Sequence, residues 1–261
     1  MKYGTRAAFF LVDPYHSRPG KWDLLVGTPL PRNDVVDAYL DGLPAKPSAV
    51  IAGHTHVDHV LDFPHLAKRL DCPIIGSRSL DTLFQIYGLP NRVRVTEGRE
   101  RIELADGASV TPIPTIHGLV LFGRVPYPGE IEPGGAPPLK TKRFRHGQVF
   151  MLLLEIGGVR FLHTGSANLV DEELENVGCD VLFMCIPGWN KIDDYHGRLL
   201  GRVRPKVVIP FHFDDFTKPW RADRSAPELP FLAKDGFLAA VKEKAPDAKV
   251  IYPKTWEWME F

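Results

Sequence analysis

Three features of the 261-residue chain predict an α/β fold with mixed sheets. Short apolar runs rich in Val, Ile and Phe alternate with helical patterns, the rhythm of layered α/β architecture. Two adjacent runs, VFMLLLEI and VRFLHTG, are joined by Gly157-Gly158, a two-glycine turn that reads as a hairpin and brings antiparallel pairing into the sheet. Four runs end in a polar residue: His54 after SAVIAG, His117 after SVTPIPTI, Ser166 after VRFLHTG and His212 after KVVIPF. In α/β sheets, ligands collect at the carboxyl ends of strands.

Taken in order, the strands are AAFFLVD, DLLVG, SAVIAG, CPIIGS, RVRVT, SVTPIPTI, the glycine-linked hairpin, DVLFMCIP and KVVIPF, each short and bounded by turn-forming residues. Helices are predicted from Leu61 to Leu70, from a Ser79 cap through Tyr87, from Val170 to Val177, from Asp194 to Val203 and from Lys234 to Ala245. One domain is expected over residues 1–261, interrupted by a lid-like insertion at about 123–147. That insertion opens with GRVPYPGEIEPGGAPP, in which Gly and Pro fill nine of sixteen positions, so it is neither helix nor central strand. KTKRFRH follows, and its Lys140, Lys142, Arg143 and Arg145 read either as a solvated edge or as a lid that meets an anionic substrate.

The 32 Lys and Arg balance the 32 Asp and Glu, so no global field draws the chain to nucleic acid or to an anionic membrane. No run of eighteen apolar residues occurs, and the N-terminal stretch lacks a small-residue cleavage site, so neither a membrane span nor secretion is expected. Cys72, Cys179 and Cys185 form no paired framework and point to a reducing, cytoplasmic setting.

The run AGHTHVDH, residues 52–59, crowds His54, His56, Asp58 and His59 at the end of an apolar stretch. On a helix, an i, i+2 pair of imidazoles points about 200° apart, so HxH cannot form a helical metal site. In a tight loop both rings converge on one ion, and the offset Asp58 and His59 suit a second beside it. Imidazole nitrogens and a carboxylate oxygen are ligands that zinc accepts. His16, His65, His146 and His163 read as ordinary core or surface histidines.

With HxHxDH standing as His54 to His59, the chain resembles the metallo-β-lactamase-fold hydrolases over most of its length. FLVDP, with Asp13, is similar to the family's early strand ending in a structural aspartate. TIHG supplies His117, LHTGS stands where the family has TGD, and VIPFH supplies His212. The resemblance implies a four-layer αββα sandwich with the site at one edge of two packed sheets. It also implies that His54, His56 and His117 hold one metal, that Asp58, His59 and His212 hold the other, and that Asp58 orients a metal-bound hydroxide. One or two divalent ions are expected, zinc first, with manganese, iron or nickel as alternatives.

Two departures stand out. Ser166 occupies the position of the carboxylate that bridges the ions in the family. Two dications about 3.5 Å apart repel by roughly 20 kcal/mol at an effective dielectric near 20, and a neutral hydroxyl offsets little of that. Either the second ion binds weakly or an anionic substrate group supplies the bridge. The family's short β-hairpin before FLVDP has only eight residues available here ahead of Phe9, so an absent edge strand is expected to leave the first sheet less protected.

The expected function is metal-dependent hydrolysis of an ester, lactone, amide or phosphodiester-like small molecule, with a mild likeness to the lactonase and phospholipase-like branch. His196 joins as a candidate oxyanion donor and Trp189 as a pocket wall. The alternatives are a nuclease of the same fold, or a metal-binding sensor whose turnover is lost with the bridging carboxylate. An exposed edge of the first sheet also leaves room for a homo-oligomer.

Overall fold

The computed structural model describes residues 2–4, 9–120, 122–221, 225, 227–230, 232–254 and 259, apart from the side chains of residues 2–4 and of Asp106. The paired elements form two sheets. In the first, β1 (Lys2–Gly4) lies antiparallel to β2 (Phe9–Val12), which continues in parallel to β3 (Ala49–Ile51), β4 (Ile74–Gly76) and β5 (Val93–Val95). In the second, β6 (Ile102–Glu103), β7 (Ser109–Thr115), β8 (Val149–Ile156) and β9 (Val159–His163) run antiparallel. From β9 the sheet continues in parallel through β10 (Val181–Cys185) and β11 (Val207–Phe211) to β12 (Lys249–Val250).

The run FFLV of β2 is apolar at every position because both faces of this strand are covered. Phe10 and Val12 join the cluster shared with the second sheet, whereas Phe9 and Leu11 join side chains of the helices outside the first sheet. Those helices are α2 (Asn33–Asp41), α4 (Phe63–Arg69) and α5 (Arg78–Ile86). Beyond the second sheet lie α6 (Tyr195–Val203) and α7 (Lys234–Lys244), which contribute Leu199, Leu200, Phe237 and Val241. The result is an αββα sandwich. Each fully buried Phe or Leu contributes about 1.5–3 kcal/mol relative to exposure.

The β8–β9 hairpin forms as the two glycines predict. Ile156 pairs with Val159, and Gly157 and Gly158 sit at φ of 61° and 78°, the positive values that a tight hairpin turn requires.

Several elements differ from expectation. DLLVG is not a strand; its first three residues end α1 (Lys21–Leu25), where Leu24 is buried but Trp22 is 77% exposed, and Val26 and Gly27 turn out of the helix. A run that short carries too few residues for its period to separate helix from strand. The segment predicted as a helix from Val170 to Val177 holds only a 3-10 turn at Glu172–Leu174. The residue that caps α5 is Ser77, and the Ser79 hydroxyl instead accepts from the Ile131 N–H at 2.8 Å. Helix α2 carries no sequence expectation because its one buried residue is Val36, and β6 and β12 are only two residues long. The first sheet does have an outer strand, since Lys2 to Gly4 pair with Leu11 to Phe9. Ala7 and Ala8 of the run AAFFLVD lie outside the described residues.

Segment 123–147 is irregular yet packed. Ile131, Leu139 and Phe144 are buried among the helices of the first sheet, Tyr127 donates its hydroxyl to the Leu25 carbonyl, and the Thr141 N–H reaches the Gly27 carbonyl at 3.0 Å. Among the described residues, no helix is long and apolar enough to cross a membrane.

Candidate metal centre

At the carboxyl end of β3 the chain leaves its strand, bends at Gly53, reaches His56 in an extended conformation (φ −62°, ψ 155°) and then turns into the single helical turn α3 (Val57–Val60). Side chains two apart in extended backbone share a side, so His54 and His56 meet at 4.9 Å between ring centroids. The switch to helix at Val57 then carries Asp58 and His59 to an adjacent position. Thus a six-residue motif serves two sites because its backbone changes period in the middle.

His117 arrives from the end of β7 with its ring 4.9 Å from that of His54 and 4.7 Å from that of His56. His212 follows β11, and its Nε2 lies 3.5 Å from Asp58 Oδ2. His54, His56 and His117 form one group whose nearest ligand atoms all lie within 4.8 Å of one another; Asp58, His59 and His212 form a second with the same limit. His212 has φ of 61° and Asp13 φ of 45°, left-handed values that non-glycine residues rarely adopt. Strain of this kind is held in place by surrounding structure and clusters at working sites.

In the first group the imidazoles are held neutral, the form that binds a cation. Burial, with His59 and His117 nearby, holds the His54 imidazole well below its usual range, and both its nitrogens are buried without a hydrogen-bond partner. Burial sets His56 at about 3 and His117 at about 4. A neutral imidazole has one lone pair to give, and its other nitrogen decides which one. His117 Nδ1 is 2.8 Å from the Gly118 carbonyl, which leaves Nε2 free; His56 Nε2 is 2.8 Å from the Pro126 carbonyl, which leaves Nδ1. The five imidazoles and one carboxylate form a donor set suited to zinc and its first-row neighbours, and His54's unsatisfied nitrogens are what such an ion would satisfy.

Asp13 orients the second group. Its Oδ2 sits 2.8 Å from His59 Nδ1 while its Oδ1 accepts from the Gly53 N–H at 2.8 Å, so His59 turns Nε2 toward Asp58 at 3.6 Å. Burial pulls the His59 imidazole down, but Asp13 and Asp58 outweigh it and its pKa is raised. Burial acts the other way on Asp58, where His59 and His212 prevail and the carboxyl stays ionised well below its usual range.

Ser166, past the end of β9, is buried and its hydroxyl accepts from the Gly118 N–H at 2.9 Å. Gly118 is required there, since a Cβ would stand 2.9 Å from the Ala167 carbonyl oxygen. Neither nearby carboxylate substitutes for the missing one: Asp214 is ion-paired with the buried Arg18, and Asp215 accepts from the Thr217 hydroxyl at 2.6 Å.

His196 and Trp189 contact each other rather than the two groups. Their rings meet edge to face at 4.8 Å, both abut Phe237 of α7, and the Trp189 indole N–H donates to the Leu232 carbonyl. His16 stacks on Tyr39, His65 pairs with Asp37, and His163 is a core residue beside Phe211. His146 is different from this trio, because its ring lies 5.7 Å from His56 and 6.0 Å from His117. A lone histidine in a basic run gave no cue, although His146-Gly147 repeats the His117-Gly118 pair, and in both the Nδ1 meets the carbonyl of the following glycine. Tyr15, which sequence reading passed over, lies near the second group: its hydroxyl donates to Phe216, whose ring is 5.5 Å from that of His212.

Residues 10–213 match the family model described as the β-lactamase superfamily domain. A metal-dependent hydrolase of Archaeoglobus fulgidus is 28% identical over 245 residues, covering 87% of this chain and 91% of that protein. Among solved structures, a metallo hydrolase from Ignicoccus hospitalis superposes with a TM-score of 0.60 at 18% identity, covering 96% of this chain and 89% of the other. A metallo-β-lactamase fold protein from Bacillus subtilis gives 0.58 at 16% identity, with 98% and 90% covered.

Proposed function

The chain belongs to the β-lactamase superfamily and is a metal-dependent hydrolase of it; from that premise we propose that it cleaves an ester, lactone, amide or phosphodiester-like bond in a small, anionic molecule. The observation that carries this reading is the pair of adjoining ligand groups, one of them centred on a His54 ring whose nitrogens have no hydrogen-bond partner among the described residues. A bound divalent ion lowers the pKa of water from 15.7 to about 7 and polarises the carbonyl or phosphoryl oxygen under attack.

The residues divide the remaining work. His54, His56 and His117 hold the first ion; Asp58, His59 and His212 hold the second; zinc is our first choice for both. Asp58, kept ionised, accepts a hydrogen bond from the attacking water and sets its direction. Asp13 fixes the His59 tautomer. Because Ser166 brings no charge between the groups, an anionic substituent of the substrate would be needed to offset two ions held there, and Lys142, Arg143 and Arg145 around Glu132 add positive charge on the lid-like segment. The contacts of His196 and Trp189 favour packing over a role in the pocket. Three free cysteines favour a cytoplasmic setting.

To test this, metal-free protein is reloaded with zinc or manganese, its ions are counted by elemental analysis, and it is screened against lactones, esters and phosphodiesters beside His56→Ala. Turnover that needs metal and is lost with an ion in His56→Ala supports the reading; a variant that keeps both ions and rate removes it. The neutral Ser166 favours a second reading, a sensor that binds metal without turnover, and a fully loaded protein inert across the panel would select it.

A further inference from the structure

We infer that His146 is a positioning residue for the first ligand group, and that through it the Gly/Pro-rich segment forms part of the cation site. The inference rests on the reading that His54, His56 and His117 hold an ion. It starts from the Pro126 carbonyl, 2.8 Å from His56 Nε2, which decides that His56 offers Nδ1. The proline ring fixes φ but not ψ, so the direction of this carbonyl is set by how the residues after it are held. The His146 N–H donates to the Tyr127 carbonyl at 3.2 Å and the Gly147 N–H to the Gly129 carbonyl at 3.0 Å, so residues 127–129 and 146–147 close on each other as a clasp. The His146 ring locks it, with Nδ1 on the Gly147 carbonyl and Nε2 accepting from the Gly129 N–H at 3.4 Å.

The same clasp grips the ligand motif from its other side. Thr55, between the two ligands, donates its N–H to the His146 carbonyl at 2.9 Å and its hydroxyl to the Arg145 carbonyl. The approach is close enough that a Cβ on Gly147 would stand 2.6 Å from Ser79 Cβ, at a φ of +63°. His146 therefore touches the rings of both His56 and His117 and anchors the backbone that orients one of them.

Zinc affinity at each site is measured by chelator competition in the full chain for wild type, His146→Ala, His146→Gln and the remote control Lys68→Ala, with the visible spectrum of the cobalt-loaded protein recorded alongside. The expected result is a 10- to 100-fold loss at one site in His146→Ala, the range usual for an outer partner of a ligand, with the other within twofold and an altered cobalt spectrum. His146→Gln, whose amide can still accept from Gly129, recovers most of the loss, and Lys68→Ala changes nothing. Wild-type affinities and spectra in His146→Ala overturn the inference, as does equal weakening of both sites. Should the alanine variant not fold, His146→Phe decides: it keeps a ring but loses both nitrogen contacts, and wild-type affinity there is equally fatal. Counting ions in His54→Ala separates the two levels of argument. An unchanged count overturns the ligand assignment and the inference with it, whereas loss of one ion beside an unaffected His146→Ala overturns the inference alone.

Discussion

Replacing Asp13 by Asn isolates the orientation of His59. The carboxylate accepts from the Gly53 N–H at 2.8 Å through Oδ1 and pairs through Oδ2 with His59 Nδ1, 2.8 Å away. An amide has one accepting end and one donating end, so it satisfies only one of these contacts. If its oxygen stays on Gly53, its NH2 faces Nδ1 and drives the imidazole proton to Nε2, the atom that points at Asp58. If it flips, two donors confront each other at Gly53. Either arrangement costs about 1–3 kcal/mol, the usual penalty for an unsatisfied buried polar group, or roughly 5- to 150-fold in affinity. Without metal, His59 is free to accept from the amide, so the penalty falls on the loaded state. The expected result is a zinc titration in which one of two ions weakens by that factor while the thermal midpoint of the metal-free protein changes little. Two ions bound within twofold of wild type would refute the tautomer argument.

Three further outcomes are expected. Ser166→Asp tightens the weaker ion by at least tenfold and raises the count in metal-limited preparations towards two; an unchanged titration removes the argument from the missing carboxylate. Gly118→Ala forces apart the loops that carry His117 and Ser166 and costs about 1–3 kcal/mol, visible as a lowered urea midpoint, because its Cβ meets main-chain atoms of Ala167 that cannot step aside. Acid destabilises the metal-free protein. Burial holds His16, His56 and His163 at about 3 and His117 and His196 at about 4, against about 6.5 when unfolded, so between those limits the unfolded chain binds more protons. Stability is fully present above pH 6.5 and falls as pH drops toward 4, each histidine adding a slope of up to about 1.4 kcal/mol per pH unit, while the raised His59 opposes the trend. Urea midpoints that are flat from pH 7 to 4 would show that these rings are not buried neutral.

The first ligand motif was legible because four donors stand within six residues, and His117 and His212 because each directly follows an apolar strand. Strands of four or more residues with both faces covered, such as FFLV and VFMLLLEI, announce themselves by composition. What escaped detection depends on partners distant in sequence. His146 acquires its place from main-chain pairing with residues 127–129, and α1 owes its helix to a stretch too short to show a period. The edge strand β1 carries no hairpin of its own to announce it, since three residues suffice to pair with β2.

The two ligand groups draw on both halves of the sandwich: His54, His56, Asp58 and His59 follow β3, while His117 and His212 follow β7 and β11. Cations seated there would act as rivets across the rim of two half-shells that otherwise adhere through greasy inner surfaces and a few main-chain bonds such as that from the Phe150 N–H to the Gly53 carbonyl at 2.8 Å. Chelation should therefore loosen the rim before the interior, and amide exchange would quicken first in the loops after these three strands while β8 and β10 stay protected. Removing the cations would then cost turnover and the closure of the shell together.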